Sequence, residues 1–572
     1  MDYNTVTKPR FKEMRPGADG KLMTEWQLTD TKLTDTVKLI LPPPHAVPII
    51  FIPGIMGSNL SNPENKPIWL LDSVKTVPVG LAFSFLRKNA GERQRLLHPA
   101  RTRVYNGGAV PKENAVLGLT QQDFVSRGWG EISQASYQGF LVWLDTKMNA
   151  SRDPMAWNDF SPQNGKINDD PTAYLKKNLL PGIVMNMHGL PEMAEPGVKV
   201  ELIRSDELIK RSKSTYPVYA FGYNWLDTNL AAAESLAKKI KSVIKENNKG
   251  PVKCTQVILV THSMGGLVAR ACCEIEGMKQ KIVGVVHGVM PATGAAVAYR
   301  RCKVGMWDED PGAALVIGSD GKEVTAVFAQ SPGALQLLPS EDYGTNWLQV
   351  ADASGNPIKN FPTKDPYEEI YLQRGRWWSL IREEWLAPHD GVAIKWDVYA
   401  RNIDLASDFH KNIAVKYHHN TYIFYGGGKQ KKSFEKILWK LKSGSRPIDE
   451  NKVPTYSEVV NFGNSAIRTD GSNNLYVGGA SGITTSTRGD SSNAHYHESS
   501  FWEIRCAKWN SEGDGTVPSI SGRAPRSAGG KSILQQFELA GVEHEPAYES
   551  YPEARVVTYY AITKLAALAD RS

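Results

Sequence analysis

The sequence predicts an α/β fold, a doubly wound and mostly parallel sheet, and three observations predict it. Short, unbroken apolar runs recur along the chain, beginning with Val47-Pro48-Ile49-Ile50-Phe51-Ile52; such runs suit strands covered by helices on both faces. A helical period over Leu230 to Glu246 separates two of these runs, giving the strand, helix, strand alternation of a parallel sheet. A serine set among small residues then stands between a third run and the start of another helix, the setting of a nucleophile elbow.

The elements follow in order. Residues 1–45 are a polar extension ending in Leu41-Pro42-Pro43-Pro44, a stiff entry to the first strand, which stops at Pro53-Gly54. Further runs at Val218 to Phe221, Val257 to Val260, Val283 to Val286, Thr421 to Tyr425 and Ile533 to Leu539 read as strands. The helix between the second and third runs carries Leu230, Ala233, Leu236, Ala237, Ile240, Val243 and Ile244 on one face, with Asp227 to Asn229 as caps and Gly250 beyond its end. A terminal helix is expected around Val556 to Leu568.

The stretches between these elements are too long for simple connections. They divide the chain into a first core part at 46–294 with an insertion at 61–215, a cap or lid at 295–415, a core strand at 416–426, a second insertion at 427–512, and a C-terminal core part at 513–572. Residues 470–494, rich in Gly, Ser, Thr and Asn, read as a surface loop.

Composition excludes several classes. With 41% hydrophobic and 22% charged residues the chain is neither disordered nor fibrous. Sixty-seven Lys and Arg against 60 Asp and Glu leave +7, a mild excess without the basic stripe of a nucleic-acid binder. The N-terminus lacks the apolar region of a secretory signal, so synthesis in the cytoplasm is expected. The apolar stretch Ile282 to Tyr299 is broken by His287 and Pro291 and is too short to span a bilayer, so any membrane contact is expected to be peripheral. Five cysteines, an odd number, argue against a disulfide framework and for a reducing compartment.

Chemistry concentrates at Val257 to Arg270. There a buried strand ends at Thr261-His262-Ser263-Met264-Gly265-Gly266 and a helix follows. A tight turn exposes a serine Oγ above the strand's end, and glycines let the helix N-terminus approach it. Ser263 is the expected nucleophile, with Thr261 in place of the first glycine of the usual G-x-S-x-G pattern. A base and an orienting carboxylate should follow in the order Ser, Asp, His. Asp514, in Gly513-Asp514-Gly515-Thr516-Val517-Pro518, and His544, in the loop after the last strand, satisfy that order. The oxyanion hole is expected from the amides of Met264 and Ile55, with Met56 as second choice, because Pro53 to Leu60 directly follows the first strand.

Rival residues read less well. His287 ends a strand and would stand in the site wall, whereas His418 and His419 precede the next strand on its wrong side. His495, His497 and Glu498 form a cluster without a second ligand pair, and Asp308, Glu309 and Asp310 read as a solvated turn. No cofactor or metal is expected; a divalent ion in the loops has no ligand set to support it.

Together Pro53 to Leu60, Thr261 to Gly266 and Gly513 to Pro518 resemble the lecithin–cholesterol acyltransferase and GPI inositol-deacylase branch of α/β-hydrolase lipases. Gly222-Tyr223-Asn224-Trp225-Leu226-Asp227 and Ser331 to Pro339 are similar to two further segments of that branch. With His287 to Gly294, the chain further resembles the antibacterial lipase effectors of type VI secretion systems. The resemblance implies a lipase or phospholipase acting on membrane phospholipid through a Ser-Asp-His triad and an acyl-enzyme. It also implies export by a route without a signal peptide, delivery to the target-cell periplasm, and a cognate immunity protein as partner. An acyltransferase, a glycolipid or inositol deacylase, and a hydrolase-fold binding module are the alternatives.

Lys429 to Lys442 bears on membrane contact. Phe434, Ile437, Leu438 and Leu441 fall at i, i+3, i+4 and i+7 among lysines that include Lys431 and Lys432. The spacing predicts a basic amphipathic helix, either packed as a lid or lying in an anionic lipid interface.

Overall fold

The apolar runs form a single sheet. Its strands are β1 (Ile49–Ile52), β2 (Val218–Ala220), β3 (Val257–His262), β4 (Ile282–Gly288), β5 (Thr421–Gly427) and β6 (Ile533–Ala540), all parallel, in the spatial order β2-β1-β3-β4-β5-β6. The computed structural model describes residues 43–70, 88–149, 190–441 and 501–571, apart from 115–116, 196–198, 249, 310–313 and 315–317. It also describes Thr24 and short strands at Arg10–Glu13, Arg15–Pro16, Leu22–Met23, Val37–Ile40, Ile467–Thr469 and Asn474–Gly478.

Both faces of this sheet are covered, which is why its strands lack a polar side. In β1, Ile50 and Ile52 join one apolar cluster, and Ile49 and Phe51 join the other. All four are fully buried, and each such side chain contributes about 1.5–3 kcal/mol relative to exposure. The second cluster contains residues of α1 (Gln134–Asn149) and of the last helix, α5 (Pro552–Leu568). Opposite them lie α2 (Asn229–Asn247), α3 (Gly265–Glu274) and α4 (Trp396–Ile413). In α2 the Thr228 hydroxyl caps the helix, accepting from the Ala231 amide at 3.1 Å. The expected face differs at its start: Leu230 is 52% exposed, and apolar burial begins with Ala232 and Ala233, behind the buried Asn229.

The 295–415 stretch belongs to the same cluster as Ile50 and Leu259, through Tyr299, Trp347, Tyr371, Trp377 and Tyr399 among others. A second sheet adjoins it, in the order Pro357–Phe361, Leu348–Ala351, Ile437–Leu441, Phe501–Cys506, Asn474–Gly478, Ile467–Thr469. This sheet overturns the basic amphipathic helix. Lys432–Ser433 and Ile437–Leu441 are strands, the first paired with Ser511–Glu512 and the second with Leu348–Ala351 and Phe501–Cys506. Ile437 and Trp439 point inward while Leu438 and Lys440 remain partly exposed, so the period is two, not 3.6. Phe434 and Ile437 are buried in the core cluster and cannot meet lipid. Lys431, Lys432, Leu438 and Leu441 accordingly lie on a paired ribbon rather than on a helix. Asn474–Gly478 is likewise a strand within the expected loop. Among the described residues no helix is long and apolar enough to cross a membrane.

The strand order reverses between β1 and β3, since β2 lies on one side of β1 and β3 on the other. Ligands of open parallel sheets bind in the crevice beyond the carboxyl ends at such a reversal. The Pro53 loop leaves β1 there and the Ser263 turn leaves β3.

Candidate active site

The Ser263 turn is held in a strained conformation. Ser263 has φ = 51°, the left-handed region that costs a non-glycine residue on the order of 1–2 kcal/mol. Its amide donates to the Gly288 carbonyl of β4 at 2.9 Å, and its carbonyl accepts from Gly266 N–H at 2.9 Å. A Cβ on Gly265 would lie 2.5 Å from the carbonyl oxygens of both Ile52 and Pro53, so only glycine brings α3 this close to β1. The N-terminus of α3, with its partial positive charge, therefore faces the space above Ser263. Thr261, standing where glycine is usual, turns its hydroxyl to His287 Nδ1 at 2.9 Å and is fully buried.

Asp514 and His544 converge on that serine. His544 Nε2 is 2.8 Å from Ser263 Oγ, and His544 Nδ1 is 2.8 Å from Asp514 Oδ2. The other carboxylate oxygen, Oδ1, accepts from the amides of Thr516 at 2.9 Å and Val517 at 2.7 Å. The His544 amide donates to the Asp514 carbonyl at 2.9 Å. Asp514 rests on the end of β5, where a Cβ on Gly426 would approach its Cβ to 2.5 Å. Ser263 is 3% exposed and Asp514 2%, while the His544 side chain keeps 13%, so the serine and the carboxylate are shielded and the imidazole lies at the edge towards solvent.

Three residues overlooked in the sequence complete this site. Ser433, fully buried, accepts from Gly515 N–H at 3.0 Å and donates to the Val517 carbonyl at 3.1 Å, bracing the Asp514 turn. It lies on the strand Lys432–Ser433, where the apolar spacing suggests a helix, and nothing local marks it. His262 and Tyr137 bridge the loops around Ser263: His262 Nε2 is 2.7 Å from the His544 carbonyl oxygen, and His262 Nδ1 is 3.0 Å from Tyr137 Oη. Tyr137 Oη accepts from Gly54 N–H at 3.3 Å. Burial pushes the His262 imidazole down to about 3, and nearby His544 adds to the fall. A histidine inside a strand-end motif is the only sequence trace of this bridge.

The loop that carries Ile55 and Met56 packs against the serine turn through Gly54. Gly54 packs so tightly that a Cβ there would sit 3.0 Å from Ser263 Cβ. After it, Met56 takes φ = 65° and its carbonyl accepts from Trp69 Nε1 at 2.8 Å. Among the described residues, the amides of Ile55, Met56 and Met264 make no hydrogen bond to the protein.

Three of the rivals have partners of their own. His287 is buried against Thr261, and His418 faces the Lys279 carbonyl at 3.3 Å. Glu309 is engaged by Arg300 and Arg301. Asp310, His495, His497 and Glu498 lie outside the described residues. No group of three or more potential metal ligands occurs among the described residues. A cavity of about 630 Å³ lies apart from the serine, between Glu131 and Gly222 on one side and Lys238 and Lys239 of α2 on the other.

A six-stranded parallel sheet with helices on both faces and a strained serine turn at its carboxyl edge is the α/β-hydrolase fold. Residues 218–306, from β2 through the serine turn and beyond β4, match the PGAP1-like alpha/beta domain. Among solved structures the chain is similar to one chain of the crystal structure of the Tle4-Tli4 complex, with 27% identity and a TM-score of 0.68 over 92% of this chain and 99% of that one. No curated protein matches the chain.

Proposed function

We propose that the protein is a serine-dependent lipase that hydrolyses carboxylic esters of membrane phospholipid. The hydrogen-bonded series Ser263, His544, Asp514 carries this reading. In it, Ser263 Oγ attacks the acyl carbonyl and passes its proton to His544 Nε2. The Asp514 carboxylate holds the imidazole with its proton on Nδ1 and stabilises the imidazolium as it forms. The amides of Met264 and Ile55 receive the developing oxyanion, aided by the N-terminus of α3. His544 then returns the proton to the departing glycerol oxygen. Water, activated by the same imidazole, cleaves the acyl-enzyme and frees the fatty acid. A shielded site strengthens each of these electrostatic contacts.

Likeness to a chain of the Tle4-Tli4 complex over nearly the whole length supports an antibacterial type VI lipase effector. On this reading it acts in the target-cell periplasm and is opposed by an immunity protein. The resemblance of Thr261 to Gly266 and Gly513 to Pro518 to the GPI inositol-deacylase branch favours a second substrate within the same chemistry, an inositol- or glycan-linked lipid. The test is the product profile of purified protein on mixed phospholipid vesicles, with an inositol lipid included. Free fatty acid and lysolipid are expected, and Ser263→Ala should lower kcat on the order of 10⁶-fold. Ester cleavage that persists in that variant would remove Ser263 from its role, and the headgroup consumed separates the two substrates.

A further inference from the structure

The residue before the nucleophile is buried and titratable, and the proposed reaction makes no use of it. We propose that His262 is a positioning residue. Through one directed hydrogen-bond relay it fixes the loop bearing the oxyanion amides, the nucleophile turn and the loop bearing the base relative to one another. The inference rests on the serine-hydrolase reading.

Donor and acceptor chemistry settles the direction of the relay. The His544 main-chain oxygen can only accept, so His262 Nε2 carries the proton in the 2.7 Å contact. Nδ1 of the neutral ring is then a lone pair, and the Tyr137 hydroxyl must donate to it across 3.0 Å. Tyr137 Oη in turn accepts from Gly54 N–H at 3.3 Å. Each proton is used once and none is left over. Both ring nitrogens are committed, so His262 cannot act as a second base.

The ends of the relay lie on the working parts of the site. Gly54 precedes Ile55, whose amide is the proposed oxyanion donor, and its α-carbon approaches so closely that an added Cβ would sit 2.8 Å from His262 Nδ1. At the other end, the backbone of His544 is gripped twice: its amide by the Asp514 carbonyl at 2.9 Å, its carbonyl by His262. The imidazole that faces Ser263 Oγ therefore hangs from a backbone fixed on both sides. Ring contacts immobilise the relay itself, with Tyr137 5.6 Å and Tyr548 5.9 Å from the His262 ring and Phe51 4.9 Å from Tyr137.

The test compares His262→Ala, His262→Gln and Tyr137→Phe in the full chain. The readouts are hydrolysis of a short-chain p-nitrophenyl ester, the rate of fluorophosphonate labelling, and melting temperature. His262→Ala should lower kcat roughly 10²-fold, as a misplaced base does, with KM within a few-fold of the parent. His262→Gln supplies an amide donor to the His544 carbonyl and an acceptor to Tyr137, and should recover about tenfold of that loss. Tyr137→Phe should lose about tenfold while keeping its fold, and it decides the matter if His262→Ala does not fold. An active, labelled parent with unchanged kcat in His262→Ala and Tyr137→Phe would overturn this inference alone. So would a loss in His262→Ala that follows melting temperature and is not recovered by Gln. A parent that neither hydrolyses esters nor labels would overturn the serine-hydrolase reading, and the relay's role with it.

Discussion

Asp514→Asn isolates what the carboxylate does, because the structure dictates how an amide would sit there. Asp514 Oδ1 accepts from the Thr516 and Val517 amides at 2.9 and 2.7 Å. An asparagine must keep its single oxygen on those two donors, since turning its NH₂ towards them would oppose donor to donor. Its NH₂ then faces His544 Nδ1, where the carboxylate oxygen stood at 2.8 Å. Nδ1 becomes an acceptor, the ring proton moves to Nε2, and Nε2 presents N–H instead of a lone pair to Ser263 Oγ. The shape of the turn is preserved while the base is disabled. The expected loss in kcat is about 10⁴-fold, or about 5.4 kcal/mol of transition-state stabilisation. Steady-state hydrolysis of a soluble ester, with fluorophosphonate labelling beside it, measures this. Melting temperature should stay within a few degrees, because every backbone contact of the turn survives. A variant within tenfold of the parent would refute the tautomer argument.

Two further outcomes follow from other parts of the molecule. Gly265→Ala sets a Cβ 2.5 Å from two main-chain oxygens of the β1 end, which cannot swing aside; it should abolish labelling and lower the melting temperature, whereas parent-like behaviour would show that α3 has room to withdraw. Burial holds His410 down to about 4, between the Tyr367 hydroxyl and the Gln336 carbonyl. The unfolded chain therefore binds a proton between about pH 6.5 and 4 that the folded chain does not, and stability falls as pH drops through that window, by on the order of 3 kcal/mol for this group. His410→Gln should flatten the pH dependence of denaturant unfolding there by a corresponding amount, and an unchanged slope would contradict the assignment.

The parts of the site legible in the sequence are those whose cause is local. A strand buried on both faces must be apolar throughout, so β1, β3 and β4 announce themselves. The turn at Ser263 needs glycines at 265 and 266 for close approach to β1 and α3's neighbours, and those glycines mark it. Asp514 and His544 were legible from their order and their loops. Tyr137 was not: it reaches His262 from α1, inside an insertion, and a contact across 125 residues leaves no local pattern. Ser433 was hidden for a different reason. Apolar residues at 434, 437, 438 and 441 fit a helical stripe, yet Ile437, Trp439 and Leu441 also alternate, and pairing with Leu348–Ala351 and Phe501–Cys506 decides for the strand. Tertiary pairing overrode a periodicity that was ambiguous over so short a run.

Whether Ser263 is a nucleophile can be measured directly by labelling the folded protein with a fluorophosphonate and mapping the adduct by peptide mass spectrometry. A single adduct on Ser263, lost in Ser263→Ala and greatly slowed in Asp514→Asn, is the predicted result. An adduct on another residue, or ester hydrolysis by a protein in which Ser263 stays unmodified, would contradict the account at its centre.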